Sequence, residues 1–248
     1  MEDPRRLFYD SNKSNLYLYN NQIHKMFKGL VTEELESQLY YNLLIKEELD
    51  RRIVMPNALI PDKHGIVIGY IMDYIRGMTI SQKILHDDLD FDDKARLVND
   101  FFYLLKEVHN YLTVGDVRNS NLMIGDDKNA YMIDFDFAVR NTTSKSPYVS
   151  YHIFNGDECL EDKNADIIKM FISALSLLYD YNLETEIKRY SDISHIKDFI
   201  PYGGVLKDYY EYFANKIYHH EPITEYLDIP LGENIGKDIM VKKRALFD

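Results

Sequence analysis

Three polar side chains near the middle of the chain have types and spacings suited to phosphate and metal chemistry. Asp116 follows a long helical pattern, Asn121 precedes a short strand pattern, and Asp134 ends the next strand pattern. Because carboxylate and amide oxygens are the ligands that Mg²⁺ prefers, an aspartate and an asparagine at neighbouring strand ends can hold this cation together. A further carboxylate facing them can orient a hydroxyl nucleophile and accept its proton.

A lysine near the N-terminus supplies the opposite charge. Lys25 lies at the end of an apolar, alternating strand pattern, where a cation is unusual. An ammonium group in such a position needs an anionic partner, and either a glutamate on the next helix or a phosphate would serve. Lys28, which lies three residues later, is the competing candidate for this role.

Hydrophobic periodicity indicates the elements that must position these residues. Residues 15–28 alternate and predict a β-hairpin, and residues 32–50 carry one apolar stripe that predicts a helix capped by Thr32. Two strand-like runs follow over residues 52–60 and 65–74. The N-terminal part is therefore predicted to have the order β-β-α-β-β.

The rest of the chain is predicted to be mostly helical. Apolar spacing indicates helices over residues 92–112 and 166–180, with short strands over 122–124 and 130–133 between them. Further helices are expected beyond them, with a break at residues 201–204. A small β-rich part joined to a larger helical part would form a cleft, which is a favoured location for a ligand.

The composition narrows the class of protein further. The chain has 248 residues, of which 46% are hydrophobic and 28% charged, as is typical of a folded globular protein. Its 29 basic and 41 acidic residues give a net charge of −12, so it should bind nucleic acid poorly and attract cationic substrates. Cys159 is the only cysteine, which excludes an internal disulfide. The N-terminus does not resemble a secretory signal and the longest apolar stretch, 170–179, is too short for a bilayer span, so we expect a cytoplasmic protein without a membrane partner.

These motifs resemble those of the protein kinase-like superfamily, which includes protein kinases and the small-molecule kinases for aminoglycosides and choline. Asp116 and Asn121 fit the catalytic-loop pattern Asp-x-x-x-x-Asn. Residues 134–136, Asp-Phe-Asp, are similar to the Asp-Phe-Gly motif. The match spans roughly residues 15–180.

The resemblance implies a bilobal α+β fold and the cofactors ATP and Mg²⁺. A small β-rich N-lobe would occupy residues 1–74, and a larger helical C-lobe would occupy residues 75–248. The γ-phosphate of ATP would be transferred to a hydroxyl group of a protein or of a small molecule.

The resemblance also implies roles for the residues around the catalytic loop. Asp116 would be the catalytic base, and Arg118 would serve the γ-phosphate and the acceptor. Asn121 and Asp134 would be the metal ligands. Asp166 matches a buried aspartate that opens the central helix and braces the catalytic loop by accepting backbone N–H bonds.

A second set of residues would bind the nucleotide. Lys25 would hold the α- and β-phosphates, with Glu36 of the following helix as its partner. The residues implied around the adenine are Met72 as the gatekeeper, the backbone of Asp73 and Ile75, and Met123 beneath the base.

The sequence departs from the family's pattern at several positions. Residues 10–15 contain no glycine where a Gly-rich loop should cover the phosphates, and Val114 replaces a histidine. Asp136 replaces the glycine of Asp-Phe-Gly, and it is open whether it is a metal or substrate ligand or a turn residue. Residues 148–152 lack the Pro and Glu expected near the end of an activation segment. Every residue that the chemistry requires is nevertheless present.

Three functions are compatible with this pattern. A protein Ser/Thr kinase-like activity is the first choice. The residues at the hinge position, 72–75, and the length of the segment between Asp134 and Asp166 are more similar to those of a protein kinase than to those of an antibiotic kinase. A small-molecule phosphotransferase is the alternative, favoured by the acidic charge and by the pair Gly115-Asp116. A nucleotide-binding pseudokinase scaffold is the third interpretation, because the Gly-rich loop is missing.

Overall fold

The computed structural model describes residues 6–10, 13–86, 89–136, 138–141, 163–185, 196–219, 221–231 and 233–247. These residues form a mixed fold of helices and small antiparallel sheets. The expectation that strands dominate the N-terminal part and helices the remainder is confirmed for the described residues.

The largest sheet is antiparallel, and its five strands are β1 (Arg6–Asp10), β2 (Ser14–Tyr19), β3 (Gln22–Phe27), β4 (Ala58–Pro61) and β5 (Val67–Asp73). Their order in the sheet is β1-β2-β3-β5-β4. The predicted hairpin is present as β2 and β3, and its two central residues, Asn20 and Asn21, have φ angles of 48° and 60°. Two positive φ values in a two-residue loop match the right-handed twist of the flanking strands.

Two predictions for this sheet were wrong. Strand β1 was not predicted, so the order is β-β-β-α-β-β. The run over 52–60 forms a strand only at its end, and Ile53 makes an isolated parallel bridge with Met132 instead. Pro56 explains the delay, because proline has no N–H to donate to a ladder.

Helix α1 (Glu33–Ile45) begins where the sequence predicts and ends earlier. The Thr32 hydroxyl accepts a bond from Leu35 N at 3.2 Å, which confirms the cap. The last predicted turn is a separate 3₁₀ segment, Lys46–Glu48.

Helices dominate the remaining described residues. The predicted helix over 92–112 ends at Val108, because Leu112 enters a short strand, and the helix predicted from Asp166 begins three residues earlier at Lys163. The predicted break at 201–204 is confirmed, and Gly204 has a φ of 82° just before the next helix. The helices are α2 (Ile80–Lys83), α3 (Phe91–Val108), α4 (Lys163–Tyr179), α5 (Ile196–Phe199), α6 (Val205–Tyr218) and α7 (Glu233–Phe247).

Five short strands hold the loops that carry the candidate site residues. Strand β8 (Leu122–Gly125) pairs with both β6 (Gly77–Thr79) and β9 (Ala130–Met132), and β7 (Leu112–Thr113) pairs with β10 (Val139–Arg140). The two strands predicted over 122–124 and 130–133 are therefore confirmed. Their pairing fixes the loops at 114–121 and 133–138 at both ends.

The buried apolar side chains form two clusters. The larger cluster lies among the helices, and α4 is buried along almost its whole length. The smaller cluster lies between the large sheet and α1 and contains Ile23, Leu39, Val54, Val67, Tyr70 and Met72. No helix in the described ranges combines the length and the apolar character that a bilayer span requires.

Candidate active site

One pocket brings together residues that are far apart in sequence. It has a volume of about 770 Å³. Its walls include Lys25 from β3 together with Asp116, Arg118, Asp134 and Asp136 from the loops after β7 and β9. Four of these five residues were predicted from sequence as catalytic, phosphate-binding or metal-binding residues.

The loop that carries Asp116 is held by the first turn of α4. Asp166 is fully buried, and its carboxylate accepts bonds from Val114 N at 2.6 Å and Gly115 N at 2.9 Å. These two hydrogen bonds confirm that Asp166 braces this loop. Lys169, one helical turn later, donates from Nζ to Gly115 O at 2.7 Å, so the same helix also binds a carbonyl of the loop.

A buried histidine links this brace to the C-terminal part of the chain. His109 Nε2 lies 3.2 Å from Asp166 Oδ2, and its Nδ1 lies 2.7 Å from the Tyr226 hydroxyl. Burial, with a contribution from the Asp166 charge, raises the pKa of Tyr226 to about 12, so this hydroxyl stays protonated.

Burial also lowers the pKa of Lys169, and the nearby Asp166 opposes that effect. Sequence reasoning missed Lys169, although a lysine three residues after an aspartate in an otherwise apolar helix is a usable signal.

Two side chains fix the carboxylate of Asp116. Asn121 Nδ2 donates to Asp116 O at 2.9 Å and to Asp116 Oδ2 at 3.2 Å, and the Arg118 guanidinium pairs with the same carboxylate. The amide nitrogen of Asn121 is therefore engaged with the loop, and its Oδ1 accepts from Ser120 Oγ at 3.3 Å. Asp116 is buried, whereas Arg118 is half-buried at the pocket.

Lys25 lies between two carboxylates. Its Nζ is 2.6 Å from Asp134 Oδ1 and 2.6 Å from Asp136 Oδ2, and the residue is only 7% exposed. Burial by itself lowers the pKa of Lys25, but the charges of Asp136 and Asp134 outweigh it, so the pKa is raised and the ammonium stays charged. The prediction that this lysine faces an anion is confirmed. Lys28, the competing residue, pairs with Asp10 instead.

The expected pairing of Lys25 with Glu36 was wrong. Among the described residues there is no Lys25–Glu36 ion pair, and Glu36 is half-buried on α1. The inward face of α1 carries Gln38 and Asn42, one helical turn apart, and Gln38 Nε2 donates to Asn42 Oδ1 at 2.7 Å. The rotation of α1 about its axis therefore places the amides of Gln38 and Asn42 on the inward face. The charge of Lys25 is neutralised by carboxylates that lie after β9 and not on α1.

Asn42 connects α1 to the segment after β9. It is fully buried and donates from Nδ2 to Phe135 O at 3.1 Å. Sequence reasoning missed this residue because an asparagine within a helix gives no local sign of a partner so distant in the chain.

The four residues expected around an adenine do not line the described pocket. Met72 is buried and Ile75 packs partly buried against the cluster of the large sheet. Asp73 is exposed, and its carboxylate accepts from Asn57 Nδ2 at 2.7 Å. Met123 is half-buried on β8, opposite Thr79 and Tyr131. The pocket thus gathers the residues expected at the phosphates and not those expected at the base.

The donor set suits Mg²⁺ bound together with phosphate oxygens. Within the described ranges, no group of three or more His, Cys, Asp or Glu residues has the arrangement of a metal site. Mg²⁺ does not require one, since it is commonly held by one or two carboxylates plus substrate phosphates. Asp134 lies at the pocket with a φ of 67°. Asn121 contacts Asp116 through its amide nitrogen, so its amide oxygen takes no part in that contact. Both residues supply the hard oxygen ligands that this cation prefers.

Comparison with known proteins adds no assignment. The chain matches no protein-family model, and no curated protein matches its sequence significantly. The residues compared above with an activation segment, 148–152, lie outside the described residues.

Proposed function

We propose that this protein is an ATP- and Mg²⁺-dependent phosphotransferase of the protein kinase-like superfamily, with an N-lobe over residues 1–74 and a C-lobe over residues 75–248. One observation carries the proposal: Lys25, Asp116 and Asp134 open onto a single pocket. The brace by Asp166 supports it, because the loop bearing Asp116 is held in place before any substrate binds. Phosphoryl transfer depends mainly on such positioning and on charge neutralisation.

Each charged residue has a distinct task in this proposal. Asp116 orients the acceptor hydroxyl and takes its proton, and Arg118 balances negative charge between the acceptor and the γ-phosphate. Lys25 binds the α- and β-phosphates as a point charge. Asn121 and Asp134 would hold Mg²⁺, which when bound neutralises the phosphate oxygens. Met72, Asp73, Ile75 and Met123 remain proposed contacts of the adenine.

A protein Ser/Thr hydroxyl is the proposed acceptor, because residues 72–75 and the length of chain between Asp134 and Asp166 are more similar to those of a protein kinase than to those of an antibiotic kinase. A cationic small molecule is the second candidate, favoured by the net charge of −12. A nucleotide-binding scaffold is the third. It is favoured by the two carboxylates that occupy Lys25, since they compete with phosphate for the ammonium.

Mass spectrometry after incubation with ATP and Mg²⁺ tests the proposal. The protein is incubated alone, with a lysate and with a panel of cationic hydroxyl compounds, and Asp116→Asn serves as the matched inactive variant. A mass gain of one phosphate that depends on Asp116 supports phosphotransfer and identifies the acceptor class. A mass gain of one AMP would indicate that ATP binds in the reversed orientation and that its AMP group is transferred instead. No transfer from ATP to any acceptor, with the parent and the variant indistinguishable, would contradict phosphotransfer and favour the scaffold.

A further inference from the structure

Asp136 is anchored by two neighbouring strands of the large sheet. Lys25 on β3 lies directly opposite Tyr70 on β5 in the antiparallel register, so their side chains are neighbours on one face. Asp136 reaches this pair with both carboxylate oxygens. Its Oδ2 is 2.6 Å from Lys25 Nζ, and its Oδ1 accepts from the Tyr70 hydroxyl at 2.6 Å.

All three members of this cluster are buried. Lys25, Tyr70 and Asp136 are 7%, 2% and 8% exposed, so each charge or hydroxyl depends on the others to replace water. The Asp136 carboxylate has a charged donor on one oxygen and a hydroxyl donor on the other, so neither oxygen is buried without a partner. Moving this carboxylate would break both contacts of a buried cluster.

Asp134 is in a different situation although it touches the same lysine. Its side chain is 32% exposed, and Oδ1 is the oxygen in contact with Lys25. Both carboxylates line the pocket, so the difference between them lies in their burial and in their partners. A partly solvated carboxylate can rotate toward a cation at low cost while Lys25 keeps Asp136. Movement of Asp136 would instead break two contacts and leave the buried Tyr70 hydroxyl without its acceptor.

We infer that Asp136, oriented by Tyr70, is the permanent anchor of Lys25 and that only Asp134 moves to the metal. Asp136 is thus a positioning residue rather than a metal ligand, and it takes over the task that the resemblance to kinases implied for Glu36. The inference rests on the proposed function only for its consequence in ATP binding. The anchoring itself rests on the contacts among Lys25, Tyr70 and Asp136 and does not depend on that function.

This arrangement has a consequence for helix α1. When a helical glutamate holds the phosphate-binding lysine, the position of that helix decides whether the lysine is correctly placed. In this protein the residue that holds the lysine is Asp136, which lies in the segment after β9. Helix α1 contacts that segment through the hydrogen bond from Asn42 Nδ2 to Phe135 O. Lys25 should therefore stay in place regardless of the charge at Glu36.

The first experiment measures coupling in the absence of nucleotide. Thermal unfolding is recorded for Lys25→Met, Asp136→Asn and the double variant, and for the same cycle with Glu36→Gln. Breaking a buried pair from one side leaves an uncompensated charge, so Lys25→Met should lower the Tm by about 6 °C or more. The Tm loss of Lys25→Met/Asp136→Asn should be clearly smaller than the sum of the two single losses, whereas the cycle with Glu36 should be additive.

The second experiment separates an anchor from a metal ligand. Asp136→Asn should weaken ATP binding about tenfold or more, because the lysine is no longer held toward the phosphates, while the half-saturating Mg²⁺ concentration stays within about twofold. Tyr70→Phe should shift ATP affinity in the same direction by less, and it remains informative if Asp136→Asn does not fold. Asp126→Asn, an exposed aspartate outside the pocket, is the matched control.

The two experiments fail in distinguishable ways. Additive losses for Lys25 and Asp136, coupling of Lys25 to Glu36, or a raised Mg²⁺ requirement in Asp136→Asn would each overturn the anchor. A parent protein that binds no ATP would contradict the proposed function, and the first experiment would still decide whether Asp136 anchors Lys25.

Discussion

At the residue scale, the candidate site separates the group that would take the proton from the groups that would hold the nucleotide. Asp116 contacts Asn121 and Arg118, whereas Lys25 contacts Asp134 and Asp136. No described hydrogen bond or ion pair joins Asp116 directly to Lys25. Substitutions in the two groups should therefore affect transfer and binding differently.

Asp116→Asn should reduce transfer without a comparable loss of nucleotide binding. The change keeps the shape of the side chain and removes the proton acceptor, so transfer should fall by roughly 10²–10⁴. The affinity for ATP with Mg²⁺ should stay within a few-fold, because a base in the proposed role would touch the acceptor and not the nucleotide. Titration calorimetry with a slowly hydrolysed ATP analogue, paired with a transfer assay, measures both. An equal loss of binding and transfer would contradict the role of Asp116 as the base.

Asp134→Asn should abolish transfer and make nucleotide binding insensitive to added Mg²⁺. The substitution removes a negative charge from the coordination shell of a hard cation, which weakens the site for Mg²⁺. Transfer assays and calorimetry across a Mg²⁺ series test this, with Asp126→Asn as the exposed control. Undiminished turnover by Asp134→Asn would exclude it as the principal metal ligand.

At the scale of elements, helix α4 organises the site although none of its residues lines the pocket. Its first turns present Asp166 to two backbone N–H groups and Lys169 to one carbonyl of the loop 114–116. Because α4 is buried among the other helices, these groups are held rigidly. The helix thus transmits the stability of the core to the loop that carries Asp116.

Asp166→Ala should destabilise the protein far more than the loss of an ordinary helix cap. It leaves Val114 N and Gly115 N buried without an acceptor, at a cost of roughly 1–3 kcal/mol for each unsatisfied group. Asp90→Ala is the matched control, because Asp90 is an exposed cap that accepts from Asp93 N at 2.8 Å and is worth about 1 kcal/mol. Chemical unfolding of both variants measures the difference. Equal losses would mean that Asp166 acts only as a cap.

At the scale of the whole molecule, the pocket joins the large sheet to the helical part. Lys25 and Asp134 are 109 positions apart in the chain and 2.6 Å apart in space. Asn42 adds a second link from α1 to Phe135 O. A nucleotide bound in this pocket would contact both parts and should stabilise them together.

Saturating ATP with Mg²⁺ should raise the Tm of the parent protein. A ligand at 100 times its Kd adds about 2.7 kcal/mol, which corresponds to roughly 5–10 °C for a chain of this size. Lys25→Met should lose most of this shift, because it removes the ammonium that is proposed to bind the phosphates. Differential scanning fluorimetry with ATP, with ATP and Mg²⁺, and with Mg²⁺ alone measures it. A parent Tm unaffected by the nucleotide would contradict the proposed ATP site.

The local pattern of residues was sufficient to predict most of the elements and the grouping of residues that lie close together in the chain. The hairpin at 15–28, the cap at Thr32 and the helices around 92–108 and 166–179 were predictable, because periodicity and capping are set by neighbours in the chain. The contact between Asp116 and Asn121 also lies within one loop. By contrast, β1 was missed and the strand at Ala58–Pro61 was predicted to begin at residue 52, since a short strand is defined by its partner more than by its own residues.

The sequence by itself therefore determined which chemical groups this protein has and which short elements carry them. Only the tertiary structure decided which carboxylate faces Lys25. The rotation of α1 directs Gln38 and Asn42 inward, and the loop after β9 brings Asp136 against β3 and β5. Burial then selects the partner, because an ammonium removed from water is stable only beside groups that replace its lost hydration. That selection depends on packing between elements distant in the chain, which no local pattern of residues encodes.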